Sequence, residues 1–314
     1  MPSGSLSSAL PLPRVPDGFA RRARTPVVIA GSLACAGALV LVLGERRHDF
    51  ATALSSVALP ILGASVLLQI VALLARSEAW HLSIEAAGGT VARRVLYRAS
   101  SMGILGSVLN GQLGVAARIT ALRQSSPDNC PQAPTLVAAE FPILAVEGTL
   151  AALASFTLVG PLGLPWWLPL IFVAVVGTAG AGLRHLGLRT SRELWRGLLA
   201  LRSVRHGGRL VGFVLLAVFA QIFRNWLLLR AVGVDASFFD AIAVLIAVVM
   251  LGQLPVGPSV GAAAAVLILG QQGVAATGAA GLLMTVTGTV GGLAFLAWAG
   301  ADRLWFNARR LSSA

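Results

Sequence analysis

The chain has 314 residues, of which 56% are hydrophobic and 11% charged, and its formal net charge is +12. Soluble domains carry about 25% charged residues, so a single water-solvated core is excluded and lipid is the solvent this composition demands. All 24 basic residues are Arg, placed beside or between apolar runs, which is the pattern of topogenic charge; no nucleic-acid-binding motif accompanies them.

Residues 1–25 are rich in Ser and Pro and then basic (Arg14, Arg21, Arg22, Arg24), which predicts a disordered cytoplasmic tail. The run from Pro26 to Gly44 is long for a signal-peptide core and lacks a following A-x-A site, so it reads as an uncleaved first span. Further apolar runs follow at 57–75, 95–122, 135–160, 165–183, 210–232, 236–254, 261–271 and 275–300. The predicted architecture is all-α: a polytopic membrane bundle over 26–305, in halves 26–160 and 165–305, with a short basic tail at 306–314.

Two runs are broken. Asn110, Gly111, Gln112 and Gly114 interrupt the run at 95–122, and Pro255, Gly257, Pro258 and Gly261 fall close together after Val248. No helix continues smoothly through the second set. Unpaired backbone at membrane depth is tolerated only when it is buried in protein or lines a wet cavity.

Arginine placement then selects a topology. If every segment crossed, the loop Arg184–Arg209, with seven Arg and one Glu, would lie outside, against the positive-inside rule. If both broken segments are re-entrant hairpins, 20 of the 24 Arg fall inside, with both termini cytoplasmic in the plasma membrane. That arrangement has about six full spans plus the two hairpins, entering from opposite faces. Both breaks carry the same tripeptide, Gly111-Gln112-Leu113 and Gly252-Gln253-Leu254. Paired interruptions of this kind point to inverted repeats around a midplane site.

Ionisable and amide groups inside spans are costly and therefore functional candidates. Glu140, Glu147, Gln221, Arg224, Asn225 and Gln253 are such groups. Counting about 1.5 Å per residue places Glu147 and Arg224 at similar depth. They are expected either to form a buried ion pair, or to stay apart with Arg224 snorkelling to the outer interface beside Trp226 and Arg230 and Glu147 protonated. Glu140, one turn in from the cytoplasmic end, is expected either to be a solvated interfacial carboxylate or to contact a headgroup at the cavity mouth. Arg118 and Arg123 are five residues apart, so one of them faces inward. Arg118, nearer the break, is the candidate phosphate contact because a guanidinium binds phosphate through a bidentate fork.

Leu194, Leu198 and Leu201 in the Arg184–Arg209 loop predict an amphipathic helix on the inner leaflet. Trp80, Trp166, Trp167, Trp195, Trp298 and Trp305 lie near span ends, as interfacial aromatics do. The two cysteines, Cys35 and Cys130, and the four histidines have neither disulfide nor metal-ligand spacing, so no metal and no cofactor is expected. No nucleophile, phosphate-loop or dinucleotide fingerprint is present, and no enzymatic activity is expected.

The chain resembles the transmembrane, flippase-like region of lysylphosphatidylglycerol synthases and its stand-alone relatives. "NGQLGVAAR" keeps the family's Gly and Arg spacing at Gly114 and Arg118, with Asn110 in place of a Pro and Val115 in place of an acid. Glu140 matches the family's Glu of the next helix, while Phe141 and Leu144 replace its charged neighbours. "QLPVGPSVGAAAA" keeps the C-terminal-half Leu-Pro and Gly pattern without the usual Glu. The resemblance implies a membrane protein that binds or translocates an anionic lipid or lipid-linked intermediate between its hairpins. Backbone at Gly111–Gly114 and Pro255–Gly261 would be exposed there, with helix-start amides near Gly261 available to a headgroup. Membrane lipids are the expected partners, and a homo-oligomer or an envelope-lipid enzyme stays open as a further one. A secondary transporter of a small charged solute and a non-catalytic partner of an envelope-lipid enzyme are the alternative readings.

Overall fold

The computed structural model describes residues 47–109, 111–126, 130–189, 204–252 and 260–312. The expected N-terminal tail, the span at 26–44 and most of the loop helix with Leu194, Leu198 and Leu201 lie outside these residues. So do Asn110 and the break residues Gln253, Pro255, Gly257 and Pro258.

The described residues form helices α1 (Arg47–Ser55), α2 (Leu59–Ala86), α3 (Arg93–Leu109), α4 (Gly111–Ser125), α5 (Ala133–Ala138) and α6 (Phe141–Ala154). A 3-10 turn at Ser155–Leu158 leads to α7 (Val159–Leu162), followed by α8 (Trp167–Arg189), α9 (Val204–Ala231), α10 (Phe238–Leu251) and α11 (Val260–Leu269). A second 3-10 turn, Gly270–Gln272, leads into α12 (Val274–Ser312). Four helical stretches among the described residues are long and apolar enough to cross a bilayer: Leu59–Ala86, Ala133–Leu162, Gly207–Ala231 and Val274–Ala301.

Local chemistry sets these boundaries. Ser237 and Asp240 close a capping box at the start of α10. Gly88 and Gly233, at φ +89° and +84°, end α2 and α9. The following amides, of Gly89 and Val234, return to the carbonyls of Ile84 and Leu229, the left-handed cap that glycine makes without strain. Pro142 has no amide proton to continue the ladder. The expected single run over 135–160 is accordingly bent, with Ala139 and Glu140 in a turn between α5 and α6.

Other boundaries differ from the sequence expectation. α2 continues past 75 to Ala86, and α12 runs through the expected C-terminal tail as far as Ser312. The interruption at 110 is narrower than four residues, because α4 already starts at Gly111. Gly114 belongs to the helix and lies against the other arm, where a Cβ on Gly103 would stand 3.1 Å from its carbonyl oxygen. Gly103 also faces Arg118, so α3 and α4 fold back on each other as an antiparallel helical hairpin.

Named contacts order the bundle. Ser56 Oγ donates to Ala231 O at 3.4 Å, and Gln221 Nε2 to Gln69 Oε1 at 3.2 Å, so α2 and α9 run antiparallel. Arg98 Nε donates to Ala299 O at 3.0 Å, and Gly292 faces Ile104, so α3 is antiparallel to α12. α11 lies on α12 at Gly261 and Gly281. A Cβ on Gly261 would stand 2.6 Å from Gly281 O, and one on Gly281 would meet the Ala262 backbone, so glycine is required for this helix approach.

The solvent-facing side is apolar, as lipid requires. Leu282, Val286, Val290 and Leu293 are exposed along α12, and Trp167, Leu170, Ile171 and Val175 along α8. The interior instead holds Ser65, Gln69, Arg118, Glu140, Arg224 and Asn225.

Gly261→Ala and Gly281→Ala are expected to cost about 1–3 kcal/mol each through overpacking. Gly300→Ala, on the same helix and in open space, is expected to be neutral or stabilising. Thermal unfolding of the purified variants in detergent checks the contrast.

Candidate functional site

One face of α2 organises the buried polar groups. Gln69, Arg76 and Trp80 stand at i, i+7 and i+11, so Arg76 and Trp80 lie about 20° to either side of Gln69 on a helix of 3.6 residues per turn. Each meets one residue brought in by another helix.

At the Gln69 level, Arg224 Nη1 donates to Gln69 Oε1, and Nη2 reaches Asn225 Oδ1 at 3.4 Å. Gln221 Nε2 shares the same Gln69 oxygen. Gly291 leaves room for Gln69, since a Cβ there would lie 2.7 Å from Gln69 Cγ, and Gly288 faces Arg224 Nη1. Arg224 is 8% exposed and Asn225 1%. Among the described residues, Arg224 has only neutral partners, and its Nε has none.

At the Arg76 level, Nη1 meets Glu147 Oε1 at 2.6 Å. The expected Glu147–Arg224 ion pair therefore does not form. The depth count behind it assumed one continuous helix from Thr135 and a partner helix from Leu210, whereas Ala139 and Glu140 form a turn between α5 and α6 and α9 starts at Val204. Gln69 and Arg76 are seven residues apart, about 10 Å along α2, so Glu147 and Arg224 sit at different levels.

At the Trp80 level, Arg118 pairs with Glu140, and its guanidinium carbon lies 4.1 Å from the centre of the Trp80 ring. Glu140 is 5% exposed: it is neither the solvated carboxylate nor the open mouth contact expected from its distance to the span end. The bend at Pro142 turns it inward toward α4. Trp80 is fully buried and is not an interfacial aromatic, because α2 extends well beyond it. Trp166, Trp167 and Trp298 are exposed as interfacial aromatics are. Of Arg118 and Arg123, only Arg118 faces inward. Nη2 of Arg118 meets Glu140 Oε1, while its Nε has no hydrogen-bond partner among the described residues. Arg76 and Glu147 are close enough to act on Arg118 electrostatically, making four alternating charges with no net charge.

Along α12, Arg224 stands between the contacts made by α3 and by the start of α11. α3 advances along α12 from Ala299 to Gly292, while α11 starts where Gly261 meets Gly281 and Thr285. Gly288, against Arg224, lies between these contacts. Of the other sequence candidates, Gly111 and Gln112 open α4, while Gly261 serves close packing. Among the described residues, no group of three or more His, Cys, Asp or Glu gathers to hold a metal.

Sequence reasoning passed over Gln69, grouped Arg76 with the topogenic charges and placed Trp80 at the interface. The signal available was a lone amide within "VLLQIVALL" followed at helical spacing by Arg and Trp.

The family model described as Lysylphosphatidylglycerol synthase TM region matches residues 27–308. No curated protein and no solved structure matches the chain.

The two buried arginines should respond oppositely to neutralisation. Arg118→Gln leaves Glu140 buried and unpaired and is expected to cost about 3–5 kcal/mol, partly recovered in the double variant with Glu140→Gln. Arg224→Gln removes a charge held only by neutral groups and is expected to leave stability unchanged or raised. Melting temperatures in one detergent decide both.

Proposed function

The chain belongs to the lysylphosphatidylglycerol synthase transmembrane-region family, and on that footing we propose that it binds an anionic lipid or lipid-linked intermediate and moves its headgroup across the bilayer. The observation that carries this reading is Arg224, buried between the contacts that α3 and α11 make with α12, with amides and, among the described residues, no carboxylate beside it. A guanidinium in a low-dielectric interior without a counter-charge is unfavourable by several kcal/mol. A lipid phosphate supplies that charge, and the free Nε supplies a further donor to it.

In the proposed topology both termini are cytoplasmic in the plasma membrane, and the α3–α4 hairpin and the α10–α11 segment enter from opposite faces. The antiparallel course of α2 and α9 and the clustering of Arg in the expected inner loops support it. Broken helices meeting at mid-depth are how many transporters expose backbone polar groups to a substrate. Asn225 and Gln221 would orient the headgroup, and no covalent step is assigned to the chain.

Reconstitution into vesicles with a labelled anionic phospholipid tests the function. Protein-dependent leaflet exchange is expected, and Arg224→Gln should slow it about ten- to a hundredfold, the equivalent of losing one charge-assisted hydrogen bond. No acceleration with any of several anionic lipids would refute the proposal, and faster uptake of a small charged solute would favour a solute transporter.

Cys130, in the loop before α5, tests the topology. In a Cys35→Ser background it should react with an impermeant maleimide in inside-out vesicles and not in right-side-out ones. Burial pushes this half-buried thiol up, against the opposing effect of Arg123. Its labelling should therefore be slow at neutral pH and accelerate as pH rises past the ordinary thiol range.

A further inference from the structure

The charged contacts on the α2 stripe differ in how tightly they are held. The Arg118–Glu140 side chains are 10% and 6% exposed, and Trp80 covers one face of the guanidinium. The Arg76–Glu147 side chains are 42% and 23% exposed. A buried pair cannot part without stranding a charge, whereas a half-exposed pair gives up its partner at little cost. The inner pair is thus a fixed anchor that ties α4 and the α5–α6 corner to α2. The outer pair can exchange.

We propose that Arg76 is the loading contact for the anionic headgroup and that Glu147 is its displaceable counter-ion, with the headgroup then passing along α2 to Arg224. This rests on the lipid-binding reading above and adds to it a second site and an order of events. The exchange conserves charge: a phosphodiester monoanion replaces a carboxylate on the same guanidinium, and Glu147, whose side chain is 23% exposed, is released from it. Arg76 and Gln69 lie on the same face about 10 Å apart, a third of a hydrocarbon core about 30 Å thick. The transfer runs from a guanidinium with a competing carboxylate to one without, so the gradient of unmet charge points from Arg76 toward Arg224. Gln69, which accepts from Arg224 and from Gln221, marks the end of the path.

Equilibrium binding of a spin-labelled phosphatidylglycerol to the full chain in phosphatidylcholine nanodiscs tests this. Glu147→Gln removes the competitor and is expected to tighten binding up to about fivefold, the range of a surface ion pair. Arg76→Gln is expected to weaken it about tenfold, with Arg76→Lys retaining part of the affinity through its charge. The double variant Arg76→Gln with Glu147→Gln should behave as Arg76→Gln alone, since Glu147 acts only through Arg76. Unchanged melting temperatures would show that these effects are not loss of fold. A wild-type preference for the anionic lipid that neither Arg76→Gln nor Glu147→Gln alters would overturn the loading site and leave the lipid-binding reading standing. No wild-type preference would overturn both. Displacement of the bound lipid by inorganic phosphate would assign the site to a soluble anion and overturn the headgroup as its occupant.

Discussion

A charged or amide side chain turned toward hydrocarbon has no water to fall back on, so the buried Gln69, Arg118, Glu140 and Arg224 depend on partners brought in by neighbouring helices. One stripe of α2 meets that demand. Gln69, Arg76 and Trp80 receive Arg224, Glu147 and Arg118, and through them fix α9, α6 and the α3–α4 hairpin against a common axis. Arg118 and Glu140 hold each other in the interior, while Arg76 and Glu147 meet where they are partly exposed. At Arg224 the partners among the described residues are neutral amides.

Helix approach is governed by the complementary rule that lipid provides no hydrophobic drive for one helix to leave it for another, so close contact and small residues must do so. The glycines of α12 serve this purpose at successive levels. Gly281 receives the start of α11, Gly288 faces Arg224, Gly291 admits Gln69, and Gly292 admits Ile104. A side chain at Gly291 would collide with Gln69 and remove the acceptor that holds Arg224 in place. Packing and electrostatics are thus coupled: the same missing methyl groups that bring helices together also place the buried cation. A chain that keeps an uncompensated charge where a neutral residue would be more stable departs from local consistency, as functional sites commonly do.

The helical class, the long apolar stretches and the hairpin at residue 110 could be read directly from apolar run lengths and Gly placement. Gln221, Arg224 and Asn225 stood out because polar groups inside a span are rare. Partner choice could not be read in the same way. Glu147 was matched to Arg224 by counting residues along one continuous helix, and that helix is interrupted at Ala139–Glu140, just before Pro142. Arg76 looked like a topogenic charge because the apolar run ends at 75, yet α2 continues to Ala86 and carries Arg76 and Trp80 into the bundle. Apolar run length reports where lipid contact ends, not where a helix ends. Which face of a helix meets which neighbour is a tertiary property, and the i, i+7, i+11 spacing acquires meaning only once the surrounding helices are in place.

The account depends on Arg224 being the station at which an anionic headgroup is held. Determining the structure of the protein in a bilayer of native anionic lipid tests that claim most directly. A lipid phosphate within hydrogen-bonding distance of Arg224 Nε, with Gln221 or Asn225 beside it, is the predicted result. An Arg224 guanidinium still held only by Gln69 and Asn225, with lipid phosphates confined to the two membrane surfaces, would contradict it.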